Sequence, residues 1–103
     1  MKQKLTARDV LAAAQERETI LAHRRTIHRC PEVGRDLPRT AAYIAGELKK
    51  LGYQPQALGG GLVAAITGKD TGRCVLLRAD MDALAGREQS GLDFQSENGA
   101  MHA

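Results

Sequence analysis

The sequence predicts an α/β chain in which two helices precede two or three strands and a long closing loop. Three observations carry this expectation. Apolar residues recur at helical spacing through the first half, and glycines concentrate between Gly46 and Gly99 in the second. Between them stands Cys74-Val-Leu-Leu77, a continuous apolar run with no alternation, the pattern of a strand covered on both faces.

Thr6 followed by Asp9 is a variant of the helix N-terminal capping pattern. Val10, Leu11, Ala14, Ile20, Leu21 and Ile27 follow at spacings near 3.6, interrupted around residues 15–18, so one helix is predicted over residues 7–29. Pro31 disfavours the helical region for the residue before it and makes Cys30 the boundary. A second helix is predicted from Pro38, a residue suited to a first turn, with Ala41, Ile44, Leu48 and Leu51 on its apolar face and Gly52 as its left-handed terminus. Residues 53–58 read as extended around Pro55, Gly59-Gly-Gly61 as a turn, residues 62–67 as a short strand and residues 69–72 as another turn. Residues 73–79 are predicted to be a strand buried on both faces, with Cys74 a small core residue. Residues 80–103 read as loop, longer than the roughly 12–15 residues beyond which loops are usually functional or unfinished.

The 103 residues, 43% hydrophobic and 26% charged, fit one small domain or a piece of a larger one and argue against a disordered tail. Tyr43, Tyr53 and Phe94 are the only aromatic residues, so the core must be aliphatic. Residues 1–50 carry a net charge of +5 and residues 51–103 a net −2. The basic half suggests a small nucleic-acid-binding protein, but Arg17, Arg24, Arg25 and Arg29 are interleaved with Glu16 and Glu18, the pattern of a solvated helix face. No apolar run reaches the roughly 18 residues of a membrane span, and the first residues lack a signal-peptide core, which predicts no membrane partner and a cytoplasmic protein. Cys30 and Cys74 lie outside any zinc-ribbon or CxxC spacing and read as reduced, structural thiols.

Arg78-Ala-Asp-Met-Asp82 places two carboxylates where the expected strand opens into a loop, the position at which α/β sheets build sites. In extended backbone Asp80 and Asp82 point to one side, where two like charges raise one pKa or recruit a cation. Direct metal ligation, support of a metal site and general-base assistance all fit this pair. So does a plain loop pair with one carboxylate neutralised by Arg78. His102 and His28 are the other candidates, although His28 also fits a charge at a helix C-terminus and His23 a surface residue.

Taken together, Arg24-Arg-Thr-Ile-His-Arg-Cys-Pro-Glu-Val-Gly34, Thr40, Leu48-Lys-Lys-Leu-Gly-Tyr53, the Gly59 turn, Leu76-Leu-Arg-Ala-Asp-Met-Asp-Ala-Leu84, Glu88-Gln-Ser-Gly-Leu92 and Ser96-Glu-Asn-Gly-Ala-Met-His-Ala103 resemble one family. It is that of the metal-dependent amidohydrolases, which includes hippurate hydrolase, N-acyl-amino-acid amidohydrolases and indole-acetyl-amino-acid hydrolases and is related to aminoacylase and zinc carboxypeptidases. The resemblance spans roughly residues 20–103 and the opening part of the family's enzyme. It implies part of a three-layer α/β/α catalytic domain, with residues 1–103 an incomplete portion lacking any separate dimerisation or lid domain. It further implies two divalent metals, zinc, manganese or similar, that polarise an amide carbonyl and generate hydroxide, with a glutamate as general base and an N-acyl amino acid as substrate.

Carried over, Asp82 matches the family's acidic residue that orients the metal site, and Asp80 sits near a position occupied by a metal-binding histidine in related carboxypeptidases. Asp80 and His102 are expected to stand behind the metal without ligating it. The family's ligands are expected just after Ala103, so this chain is expected to bind no metal and to be inactive alone. The sequence departs from the family at Ala85-Gly86, where a proline and an aliphatic residue usually follow Asp-Ala-Leu, which predicts a looser turn after Asp82. An alternative reading is a split-enzyme or interaction module that pairs with a separately encoded remainder through an open sheet edge.

Overall fold

The computed structural model describes residues 4–69 and 72–102. The middle of the turn expected at residues 69–72 and the final Ala103 lie outside them. The chain is mixed α/β, with helices α1 (Ala7–Gln15), α2 (Arg17–Arg29) and α3 (Pro38–Lys50) followed by strands β1 (Gln56–Leu58), β2 (Gly61–Val63), β3 (Leu84–Ala85) and β4 (Ala100–Met101).

The single helix expected over residues 7–29 is two. At Glu16 the backbone turns to φ −80°, ψ 0°, and its N–H is shared between the carbonyls of Ala13 and Ala14. The break falls on the stretch where the apolar periodicity lapses. No residue of α1 or α2 is buried, so packing does not enforce one continuous rod. At the start of α1 the Thr6 and Asp9 side chains each accept the other's backbone N–H, at 3.2 and 2.9 Å, which is the full capping box.

Helix α3 starts at Pro38 and ends as expected. The Tyr53 N–H donates to the Leu48 carbonyl and the Gly52 N–H to that of Lys49, both at 3.0 Å, with Gly52 at φ +92°. This double bond around a left-handed glycine is the Schellman terminus. Of its expected apolar face, Ala41, Ile44 and Leu48 are half-buried, while Leu51 is exposed. The start of α3 is capped from outside, because the Glu32 carboxylate accepts the N–H groups of Thr40 at 2.6 Å and Arg39 at 3.2 Å. Burial works against the Glu32 charge, but these backbone donors outweigh it and hold the carboxyl below its ordinary value.

Strands β1 and β2 form an antiparallel hairpin pairing Leu58 with Gly61, so Gly59 and Gly60 make a two-residue turn, both at positive φ. A Cβ at Gly60 would lie 2.3 Å from the Arg35 carbonyl oxygen, so the hairpin tip seats against residue 35 only because that position is glycine. The strand expected over residues 62–67 is therefore shorter, ending at Val63.

Residues 73–79 depart most from expectation. They form no ladder, and Val75, Leu76 and Leu77 are 81, 86 and 91% exposed. Cys74, expected in the core, is an exposed free thiol. The run has the composition of a doubly covered strand, but no described strand lies beside it, and without a neighbour its backbone has no ladder to join.

The expected loop over residues 80–103 is instead partly paired. Ala83 bridges Val33 in parallel, its N–H donating to the Glu32 carbonyl at 2.7 Å, and β3 pairs with β4 antiparallel. Ala85 pairs with Ala100 and the Gly86 N–H donates to Gly99 at 2.9 Å, so the segment lacking the family's proline is held by a short ladder. The buried apolar residues among those described include Leu37, Ala83 and Ala100.

The accessible surface is 9051 Å². A compact monomer of 11.1 kDa exposes about 5,700 Å². The radius of gyration of 16.4 Å likewise exceeds the roughly 13 Å of a compact domain of this length. The described structure thus leaves much apolar surface that a compact domain would cover.

Candidate functional site

The expected site residues gather around residues 79–82. A cavity of 240 Å³ between α2, α3 and this segment is lined by Arg24, His28, Thr40, Asp80, Met81 and His102. A second depression, beside the β1–β2 turn, is lined by Asp80 and Asp82 together with Arg35 and Gly60. Asp80 and Asp82 therefore share one depression, as extended spacing requires. Asp80 is 70% exposed and pairs with Arg78 at 3.0 Å, which is the neutralised-loop arrangement; Asp82 is exposed.

The histidines are placed differently from expectation. His23, expected at the surface, is half-buried, with Nδ1 2.8 Å from the Tyr43 hydroxyl. His28 does lie in the last turn of α2, but it is no solvated end charge: its side chain is 12% exposed, Nε2 bonds the Glu88 carboxylate, and Nδ1 lies 3.4 Å from Nδ1 of His102. Phe94 covers the His28 ring edge-on, and the Arg25 guanidinium lies over Phe94, 4.6 Å from its centroid. Sequence reasoning missed Glu88 as a site residue. Its one signal was membership in the Glu88-Gln-Ser-Gly-Leu92 string, and nothing local announces a partner 60 positions away.

Glu88 is also held by the Ser90 hydroxyl and, at 3.3 Å, by the Ser96 N–H. The Ser90 hydrogen bond is the leading cause that keeps the Glu88 carboxyl below its ordinary value, with Ser96 and His28 adding to it against burial. Burial lowers the His102 imidazole from its ordinary value. His28 and Arg24 lower it further, and the Met81 backbone and Asp82 pull the other way. Two buried polar atoms, Thr40 Oγ1 and His102 Nε2, have no hydrogen-bond partner, and both residues line the same cavity.

The divalent metal implied by the resemblance finds no fit here: among the described residues no three His, Cys, Asp or Glu side chains are grouped so as to hold an ion. Asp80 is engaged by Arg78, Asp82 is exposed, and His102 turns Nδ1 to His28.

Among curated proteins, the chain is 36% identical over 110 residues to N-acetyl-L-cysteine deacetylase of Bacillus subtilis, a match covering 95% of this chain and 26% of that protein. Thermostable carboxypeptidase 1 of Saccharolobus solfataricus is 42% identical over 89 residues, 82% of this chain and 22% of the relative. N-acyl-L-amino acid amidohydrolase of Geobacillus stearothermophilus is 32% identical over 105 residues, 96% and 28%. Over most of its length the chain fits the amidohydrolase and M20 peptidase group. It spans about a quarter of the length of these relatives. No family model matches it, and no solved structure does. No described helix is long and apolar enough to cross a membrane.

Proposed function

We propose that this chain is a portion of a hydrolase that cleaves the amide C–N bond of N-acyl amino acids, and that the 103 residues alone are inactive. The observation that carries the reading is the run of relatives named deacetylase, amidohydrolase and carboxypeptidase, matched over more than four fifths of this chain. Asp82 would orient the reacting centre, with Asp80 and His102 behind it. In support, Asp80 lines both depressions, Asp82 one and His102 the other.

The same reading accounts for residues 73–79. In a three-layer α/β/α domain this segment would be an inner strand, with neighbours on both edges and helices on both faces. Its apolar side chains, now exposed, are those such a position demands.

Two assays test the reading. The purified chain, given hippurate or N-acetyl-L-cysteine with added Zn²⁺ or Mn²⁺, is expected to release no amino acid above the protein-free blank; turnover overturns the claim of inactivity. A chimera in which this chain replaces the matching part of the B. subtilis deacetylase is expected to hydrolyse N-acetyl-L-cysteine. A soluble, folded chimera without activity overturns the assignment to N-acyl amino acids.

A further inference from the structure

Ser90, Glu88, His28 and His102 form one hydrogen-bonded line across three segments, running from the loop after β3, through the last turn of α2, to the residue after β4. The ionised Glu88 carboxylate has only acceptors, so the His28 nitrogen facing it, Nε2, must carry the proton. In neutral His28 the other nitrogen, Nδ1, is then a lone pair. The atom opposite it is His102 Nδ1, which is then the donor, with the Met81 carbonyl as a further acceptor for the His102 ring N–H. That leaves His102 Nε2 with a free lone pair, and this is the buried atom without a partner on the cavity wall.

We propose that, in the neutral form of His28, Glu88 and His28 are positioning residues that hold His102 as its Nδ1–H tautomer and so present Nε2 as a hydrogen-bond acceptor to the cavity between α2 and α3. The group received there is an N–H or O–H donor. The unpartnered Thr40 hydroxyl stands on the same cavity lining, beside Ile27, Ile44 and Met81. The packing fits a fixed orientation: Phe94 covers His28, and Ser96, whose N–H holds Glu88, is itself buried and donates its hydroxyl to the Ala100 carbonyl at 2.5 Å. A carboxylate that orients one imidazole, which then sets the proton position on a second, is the logic by which buried partners select a histidine tautomer.

The test reads the tautomers directly, without substrate or metal, so its result is separate from that of the hydrolysis assays. Long-range ¹H–¹⁵N correlation spectra of the ¹⁵N-labelled full chain are recorded at stepped, rising pH, and the tautomers are read where the ring signals no longer change. The expected pattern is Nε2–H for His28 and Nδ1–H for His102. In Glu88→Ala, which removes the acceptor facing His28 Nε2, the His102 pattern is expected to move toward Nε2–H, while His23, five residues earlier on α2 and bonded to Tyr43, keeps its signals and reports that the fold is intact. An Nε2–H tautomer or a free-histidine mixture at His102 in the unsubstituted chain overturns the proposal. So does an unchanged His102 pattern in a folded Glu88→Ala chain. Should Glu88→Ala unfold, the tautomers of the unsubstituted chain decide alone.

Discussion

The run Cys74-Val-Leu-Leu77 and the segment over residues 83–102 reverse the usual relation between hydropathy and burial. Val75, Leu76 and Leu77 are more than four fifths exposed, whereas Ser96 is 8% exposed and Ala83 and Ala100 are 2 and 7%. Ala83, Ser96 and Ala100 are covered where the polar groups of the second segment find partners, although Leu84 and Leu92 in the same segment are exposed. Asn98 Nδ2 donates to the Pro31 carbonyl at 2.9 Å, the Glu97 N–H to Arg29 at 2.8 Å and the Ala83 N–H to Glu32. The difference teaches that in this chain hydrogen-bond closure, not apolar content, decides which segment is held. Apolar residues supply a driving force for burial, but a strand also needs a neighbour for its backbone.

Four changes test this contrast, beginning with the largest effect. Ala83→Leu puts a leucine into a site 2% exposed and is expected to cost about 3 kcal/mol through overpacking at the Val33 bridge, read as a fall in denaturant midpoint. Glu32→Ala removes the carboxylate that receives the first N–H groups of α3 and is expected to cost about 1 kcal/mol, the value of a lost helix cap, with helix content falling by circular dichroism.

The pH dependence follows from the same residue. Its carboxyl is held below the ordinary 4.5, so the folded form binds fewer protons than the unfolded one. Its stabilisation is fully present above pH 4.5 and is lost as pH falls through the lowered folded value. The stability gap between the unsubstituted chain and Glu32→Ala should therefore be constant at neutral pH and close below 4.5, measured by denaturation at stepped pH. A gap that widens in acid would reverse the sign. Leu76→Thr, at a residue 86% exposed, should change stability by no more than about 0.5 kcal/mol; a larger loss would mean that the run is already covered.

Local chemistry made the helix ends readable from sequence. Thr6 with Asp9, Pro31 after Cys30, Pro38 and Gly52 each impose a backbone conformation within a few residues, and each boundary falls where that conformation requires. The family was readable for a similar reason, since its strings lie contiguous in the chain. The exposed state of residues 73–79 was not, because a strand's period records the surface it suits and not whether a neighbour is present. Nor was the grouping of His28, Glu88 and His102, whose partners are 60 and 74 positions apart. Asp80 and Asp82 were found because they are neighbours in sequence, and the same proximity puts Arg78 within reach of Asp80.

Glu32 serves two elements at once: its side chain closes the first turn of α3, and its own carbonyl receives the Ala83 N–H. A single residue thus tethers a helix to the segment that carries Asp82. Loss of the Glu32 side chain would release the first turn of α3 while leaving the Ala83 bond to the Glu32 carbonyl in place, so the two attachments can be separated by substitution.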